Sequence, residues 1–272
     1  MQKDLDQFYT NDLIARECIL ALEKEAGPLS TWDTIIEPSA GSGKFLKLLP
    51  SHAIGLDLDP RDESISKADY LLWEPPAELG SCLVVGNPPF GKNSALAIEF
   101  FNRSSNFADT IAFILPRTFR KSSVINRLNL KFHLAYERVL PIDSFHTPDG
   151  DPRSVPTCFQ IWRRREADRC VITRRLATHH DWSWMKTSAD ATHAIRRVGA
   201  FAGKLIPVNI ASPASHFFIK ANISDLDERW QVVWNKCWLE EQELNAKWDV
   251  AGNPSLTKEE IVFYYTLSLN SR

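Results

Sequence analysis

The sequence predicts an α/β protein, an open and mostly parallel sheet followed by a smaller α+β region. Three observations carry this expectation. Apolar runs of strand length recur at residues 34–36, 52–56, 83–85 and 110–115, and each stops at an acid, a glycine or a proline. Helical patterns flank them, at Leu13, Ile14, Ile19, Leu20 and Leu22 and again at Ala95, Leu96, Ile98, Phe100 and Phe101. After Arg163, Arg164 and Arg165 the periodicity weakens, which divides the chain into residues 1–165 and a second domain, 166–272. Open α/β sheets hold their chemistry at the carboxyl ends of the strands, so the strand tips are where function is sought.

A chain of 272 residues, 44% hydrophobic and 24% charged, has room for a catalytic domain with a smaller companion. No apolar run approaches the roughly 18 residues of a membrane span, and the N-terminus is acidic where a signal peptide would be basic. A cytoplasmic protein is expected. Five cysteines, an odd number without a Cys-x-x-Cys pair, read as reduced thiols. His179 and His180 lack a spaced set of acid or cysteine partners, so no metal site is expected. The net charge is only −2, but it is unevenly spread. Residues 163–220 carry eleven Lys and Arg against four Asp and Glu, and residues 103–138 carry seven against two. Such runs are either solvated surface or, if they converge, a phosphate-binding cleft.

Taken in order, the chain first offers Gln7, Phe8, Tyr9 and Thr10, two aromatics and two hydrogen-bonding groups ahead of a helix that Thr10, Asn11 or Asp12 could cap. The run at 34–36 ends in Glu37-Pro38-Ser39-Ala40-Gly41-Ser42-Gly43-Lys44, which reads as strand, glycine turn and helix. A P-loop would need glycine at position 38 and Ser or Thr at 45, and a dinucleotide fingerprint a third glycine at 46; Pro38, Phe45 and Leu46 stand there. An acid at the strand tip would repel a pyrophosphate. It suits a ligand whose nearby part is cationic or hydroxylic, and S-adenosylmethionine meets that description. Asp57 ends the next strand at the distance past the glycines where a carboxylate takes ribose hydroxyls. Residues 66–73 mark a third strand, with Asp69 and Tyr70 placed to reach an adenine. Then comes Asn87-Pro88-Pro89-Phe90. The prolines fix the backbone, so the Asn87 side chain and the Pro88 carbonyl make two rigid acceptors for an exocyclic amine, and Phe90 can offer a flat face to its ring.

The Asn-Pro-Pro-aromatic tetrapeptide, the Glu-Pro-x-x-Gly-x-Gly turn, the Leu-Asp-Leu-Asp-Pro strand end and Ala-Asp-Tyr-Leu-Leu-Trp-Glu-Pro resemble S-adenosylmethionine-dependent N6-adenine methyltransferases. Their order is similar to the gamma class of DNA adenine methyltransferases, over roughly residues 7–162. The resemblance implies a Rossmann-like class I methyltransferase fold, seven strands flanked by helices, followed by a target-recognition domain. It implies cofactor contacts at Gln7, Phe8, Tyr9, Thr10, Glu37, Gly41, Gly43, Asp57, Asp69 and Asn87, and a catalytic loop at Asn87, Pro88, Pro89 and Phe90. DNA is the implied substrate, with RNA the alternative because RNA enzymes of this kind also carry Phe where many DNA enzymes carry Tyr. A restriction nuclease is a possible partner; a protein glutamine methyltransferase and a non-catalytic nucleic-acid-binding module are more distant readings.

Residues 133–140 and 155–162 read as a closing antiparallel pair, joined by a polar loop in which Phe145 is the candidate second wall for a flipped base. Arg117, near a helix start, and Arg196, Arg197, Lys204 and Lys220 are the candidate phosphate contacts. Residues 170–176 and 216–221 read as strands and 229–248 as a helix, whose stripe of Trp230, Trp234 and Trp248 is better explained as core than as a stacking surface.

Overall fold

The structure, a computed structural model, describes residues 9–147, 151–173, 176–238, 247, 249 and 254–270. Two compact units divide between Ile172 and Thr173, a short way past Arg165. The elements of the first unit are β1 (Tyr9–Thr10), α1 (Asp12–Ala26), β2 (Thr34–Glu37), β3 (Ile54–Asp57), β4 (Ser66–Lys67), β5 (Cys82–Gly86), α2 (Ala95–Ser104), β6 (Thr110–Pro116), α3 (Ser122–Ile125), β7 (Phe132–Val139), β8 (Phe145–His146), β9 (Pro152–Arg153) and β10 (Thr157–Arg164). Seven strands form one sheet in the order β4-β3-β2-β5-β6-β10-β7. Pairing is parallel from β4 to β6, and β10 runs antiparallel to both its neighbours. From β2 the chain winds outward to β3 and β4, then returns to start the other half at β5. The sheet therefore changes direction between β2 and β5, and a crevice opens at their carboxyl tips.

Why these residues form this sheet follows from burial on both faces. β5 and β6 are buried at every position, the near-continuous apolar run that a central parallel strand requires. Helix α1 turns Ile14, Ala15, Cys18, Ile19 and Leu22 inward at helical spacing, and Gly27 ends it at a positive φ. Helix α2 buries Ala97, Ile98, Phe100 and Phe101, and the Phe101 ring meets the edges of Phe132 and Trp162 at 5.7 and 5.5 Å. One polar chain crosses the closing pair: Trp162 Nε1 donates to Gln160 Oε1, Gln160 Nε2 to Glu137 Oε2, and Arg120 Nε to Glu137 Oε1. Gln160 is fully buried, so this chain satisfies groups that would otherwise be costly there.

Two expected elements differ. No helix follows the glycine turn; a single 3-10 turn, Leu46–Leu48, takes its place, ending four residues ahead of His52 at the start of the next apolar run. The third strand is only two residues long, because Asp69 caps a turn that accepts the Leu71, Leu72 and Trp73 amides.

The second unit is a four-stranded antiparallel sheet of β11 (Trp182–Met185), β12 (His193–Arg196), β13 (Leu205–Pro207) and β14 (His216–Ala221), in the order β11-β14-β12-β13, with α4 (Leu226–Val233) and α5 (Lys258–Asn270). Of the elements expected here, β14 is present. The described part of 170–176 is not a strand, and helix α4 passes into a π turn at Trp234–Trp238. Trp182, Trp230, Trp238 and Tyr265 pack as one aromatic core, with Trp182 edge-on to Trp230 at 5.4 Å and to Tyr265 at 4.8 Å. Trp248 lies outside the described residues.

Among those aromatics sits one buried acid. Asp181 is fully buried; its carboxylate accepts from Tyr265 Oη at 2.7 Å and from Arg229 Nη1 at 3.3 Å, and His180 Nε2 lies 2.8 Å away. The acid partner missing from the sequence reading of His179 and His180 is thus the very next residue. Asp181 N–H also donates to His179 Nδ1 at 3.1 Å, and burial holds the His179 imidazole towards its neutral form. The knot fixes the start of β11 against α4 and α5.

Candidate active site

The glycine turn hangs from β2 over the tip of β3. Gly41 has φ +53°, and its N–H donates to Asp57 Oδ2 at 2.7 Å, while Asp59 N–H donates to Oδ1 at 2.8 Å. Asp57 therefore stands at the β3 tip with both oxygens oriented by backbone donors. Tyr9 leans on the same turn: a Cβ added at Gly41 would lie 3.0 Å from Tyr9 Cε1, so only glycine lets the ring come this close. Burial, opposed by Arg61 and reinforced by Asp57 and Asp59, raises the Tyr9 phenol above its ordinary value. Its ring stacks on His146 at 5.9 Å, and β1 pairs with β8, so the N-terminal segment and the 145–146 loop close over the turn together. Lys44 is tied to Asp12 of α1 at 2.6 Å, away from any phosphate role.

At the β2–β5 crevice Glu37 is 2% exposed. Burial raises its carboxyl well above the ordinary range, partly opposed by a hydrogen bond from the Leu46 amide, and Oε2 has no hydrogen-bond partner among the described residues. A Cβ at Gly86 would lie 3.2 Å from Glu37 Cγ, so β5 ends in glycine where the acid crosses it. The next residue is Asn87, whose side-chain oxygen is shielded from solvent. Ser39 Oγ donates to the Asn87 carbonyl at 2.9 Å and so ties the glycine turn to the Asn-Pro-Pro-Phe loop. Sequence reasoning missed Ser39; a hydroxyl between Pro38 and the glycines was the available signal.

These features fit S-adenosylmethionine. A buried, unpartnered carboxylate oxygen suits a cationic group, the Asp57 tip suits vicinal hydroxyls, and the glycine cradle admits a ligand close to backbone. Glu37, Gly41, Asp57 and Tyr9 are the residues that would hold it. Gln7 and Phe8 lie outside the described residues; Thr10 is buried within β1, and Gly43 turns the chain at φ +75°.

Several expected roles change. Tyr70 does not face the crevice: it is 1% exposed, and its hydroxyl shares a 2.7 Å hydrogen bond with Ser104 in the core. Asp69 is exposed but engaged in capping its own turn. Phe145 is 1% exposed and packed in the core, so it supports the loop and offers no open wall. Phe90 is only 8% exposed and belongs to the same core cluster, so its face is covered where an open stacking surface was expected. Arg117 is buried as well. Much of the positive charge in 103–138 is spent within the unit: Arg103 pairs with Glu74, Arg120 with Glu137, Arg138 with Glu17 and Lys131 with Asp168. In the second unit Lys204 and Lys220 are exposed, whereas Arg196 and Arg197 donate to the Val198 and Ala214 carbonyls.

After Phe90 the backbone is held in an unusual form. Asn93 and Ser94 have φ of 54° and 61°, values that cost a non-glycine residue about 1 kcal/mol or more each. Ser94 is fully buried, and its hydroxyl meets Thr118 Oγ1 at 2.7 Å, which fastens the loop to the end of β6.

No family model matches the chain, and no curated protein does. Among solved structures it is similar to a provisionally assigned RNA methyltransferase, PH1948, from Pyrococcus horikoshii, at 14% identity over 59% of this chain and 88% of that one, with a TM-score of 0.45. The 23S rRNA methyltransferase ErmE matches at 17% identity over 60% and 71%, TM-score 0.42, and Thermoplasma acidophilum 1320 at 16% over 61% and 93%, TM-score 0.41. The fold itself rests on the strand order. A seven-stranded sheet in which five adjacent strands pair in parallel and one reversed strand, β10, lies between β6 and β7, followed by a smaller unit, is the Rossmann-like methyltransferase fold with an added domain.

Proposed function

We propose that the protein transfers a methyl group from S-adenosylmethionine to the N6 amine of an adenine in a polynucleotide. One observation carries the reading: Asp57 holds the glycine turn at 2.7 Å while Ser39 of that turn holds the Asn87 carbonyl at 2.9 Å, so ribose acid, cofactor cradle and amine clamp form one hydrogen-bonded unit. The cofactor, when bound, supplies an electrophilic methyl group. Asn87 Oδ1 and the Pro88 carbonyl accept from the two N6–H bonds, which favours a pyramidal nitrogen and returns its lone pair towards the incoming methyl. No strong base is required before transfer, because the proton leaves once the nitrogen is cationic. Pro88 and Pro89 keep the acceptors fixed, and the gain is one of alignment.

Because Phe90 is packed away, stacking on the adenine requires the 90–94 segment to shift as the base enters. The positive-φ residues Asn93 and Ser94 make that segment the place where such a shift relieves strain. In duplex DNA the base must also leave its stack, at about a few kcal/mol. The second unit is proposed as the target-recognition domain, with Lys204 and Lys220 its exposed phosphate contacts.

The motif resemblance names DNA. RNA is the second reading, favoured by Phe90 in place of Tyr; it is also the polymer named for two of the similar structures, at a likeness that speaks to fold alone. The test is methyl transfer from labelled cofactor to duplex DNA, single-stranded DNA and structured RNA, with the product nucleoside identified by mass spectrometry. N6-methyladenosine or its deoxy form supports the reading. Methylated glutamine in a protein substrate, or cofactor binding without transfer to any polynucleotide, refutes it.

A further inference from the structure

In the second unit two adjoining clefts, of about 390 and 470 Å³, share Phe217 and Lys258 as walls. Together they make one groove along the Trp184 end of the sheet. Trp184 on β11 and Phe217 on β14 are both half-buried, so each keeps part of its ring open, and they meet edge to face at 5.7 Å. Cations surround them. Lys258 Nζ lies 4.8 Å from the Trp184 ring centre and 5.5 Å from that of Phe217, the Arg197 guanidinium lies 5.6 Å from the Phe217 ring, and Lys186 lines the far side. Among the described residues Glu259 is the only acid on the walls.

We propose that this groove binds single-stranded polynucleotide, with an unpaired base against Trp184 and Phe217 and neighbouring phosphates on Lys186, Lys258 and Arg197. The chemistry points to this occupant. Partly open aromatic faces set among cations match a chain that alternates flat π-systems with anions, and a paired base has no free face to offer. A purely apolar partner would desolvate the two lysines and the part of the Arg197 guanidinium that the Ala214 carbonyl does not take. The concentration of charge is local, since the whole chain carries a net −2. This deepens the proposed function by assigning unpaired nucleotides as the form of substrate that the second unit grips, and it rests on that reading only for its biological use.

The test measures binding without methyl transfer. Full-length protein is titrated into labelled 12-nucleotide single strands and matched duplexes, followed by anisotropy across a salt series. Tighter binding of single strands than of duplex is expected. Lys186→Gln with Lys258→Gln, both on the surface of the groove, should flatten the log–log salt slope by about 1.4, the sum of two phosphate contacts on a single strand. Trp184→Ala should weaken single-strand binding by roughly tenfold and duplex binding hardly at all. Trp184 also donates to the Ala177 carbonyl, so the lysine pair serves as the variant that leaves the fold intact. An unchanged salt slope in the lysine variant, or equal affinity for duplex and single strand, overturns the proposal. Loss of methyl transfer activity in every assay, with single-strand binding intact, would remove the enzyme reading and leave the groove standing.

Discussion

The two units place their buried carboxylates to opposite ends. In the first, Glu37 sits at a strand tip with one oxygen unpartnered, and its burial works against its charge. In the second, Asp181 is just as deep, but its Oδ2 accepts from Tyr265 and faces the Arg229 cation, while Oδ1, which accepts no hydrogen bond among the described residues, has His180 Nε2 2.8 Å away. A buried acid that is compensated holds a fold together; one left open at a crevice holds a place for a cationic group. The same contrast extends to the aromatics. Trp182 and Trp230 of the second unit pack ring against ring within its core, whereas Tyr9 of the first leans over a glycine turn that a side chain would block.

The sharpest break of that contrast is at the clamp. Asn87→Ala should lower methyl transfer by about 100-fold or more, the usual scale for losing one preorganised hydrogen-bonding group, with cofactor affinity unchanged by calorimetry. Near-normal turnover would remove the clamp from the mechanism. Next in size is Asp181→Ala, which leaves Tyr265 without its acceptor and takes from Arg229 one of its two carboxylates, Asp225 remaining at 2.8 Å. A loss of about 3 kcal/mol is expected in the unfolding transition of the second unit, with S-adenosylmethionine binding by the first unit retained; a parallel loss of cofactor binding would show that the units do not divide their roles this way. Asp57→Ala frees the Gly41 amide and the ribose site together. It should weaken cofactor binding by about 1.5–3 kcal/mol, read as a 10- to 150-fold rise in Kd.

The smallest effect tests Glu37. Its folded carboxyl titrates above the ordinary 4.5, so the folded state holds the proton more tightly than the unfolded chain. The stability tied to that proton is fully present below about pH 4.5 and is lost as pH rises through the folded value. Glu37→Gln keeps the shape without the charge. The variant should therefore melt ~2–4 °C higher than the parent at neutral pH, converge with it in acid, and bind the cationic cofactor more weakly. A variant that melts lower at pH 7 would mean that the ionised carboxylate is compensated within the fold.

Much of the first unit is legible from local pattern. Central parallel strands are buried on both faces, so β5 and β6 appear as continuous apolar runs, and their ends are punctuated by Gly86 and Pro116. The cofactor residues follow because a strand tip is also a point in sequence: Glu37, Asp57 and Asn87 each come just after such a run. What failed was orientation. Tyr70, Phe90 and Phe145 have the right side chains near the right strands, yet all three point into the core, and nothing in a short window distinguishes an inward ring from an outward one. The partners of Ser39 and Ser94 were hidden for a related reason, since Asn87 and Thr118 lie 48 and 24 residues away.

The second unit was harder to read because its strands are three to six residues long and gain their stability from antiparallel neighbours and a tryptophan core, not from their own periodicity. Sequence alone determined the fold class, the order of the strand-tip residues and the rejection of a nucleotide-phosphate loop, because each depends on residue type at short spacing. Tertiary structure decided which of those residues face the crevice, that Ser39 couples turn to clamp, and that His180 and Asp181 form a structural knot. Those outcomes depend on long-range packing and on which buried charges find partners, and neither is written in any one segment of the chain.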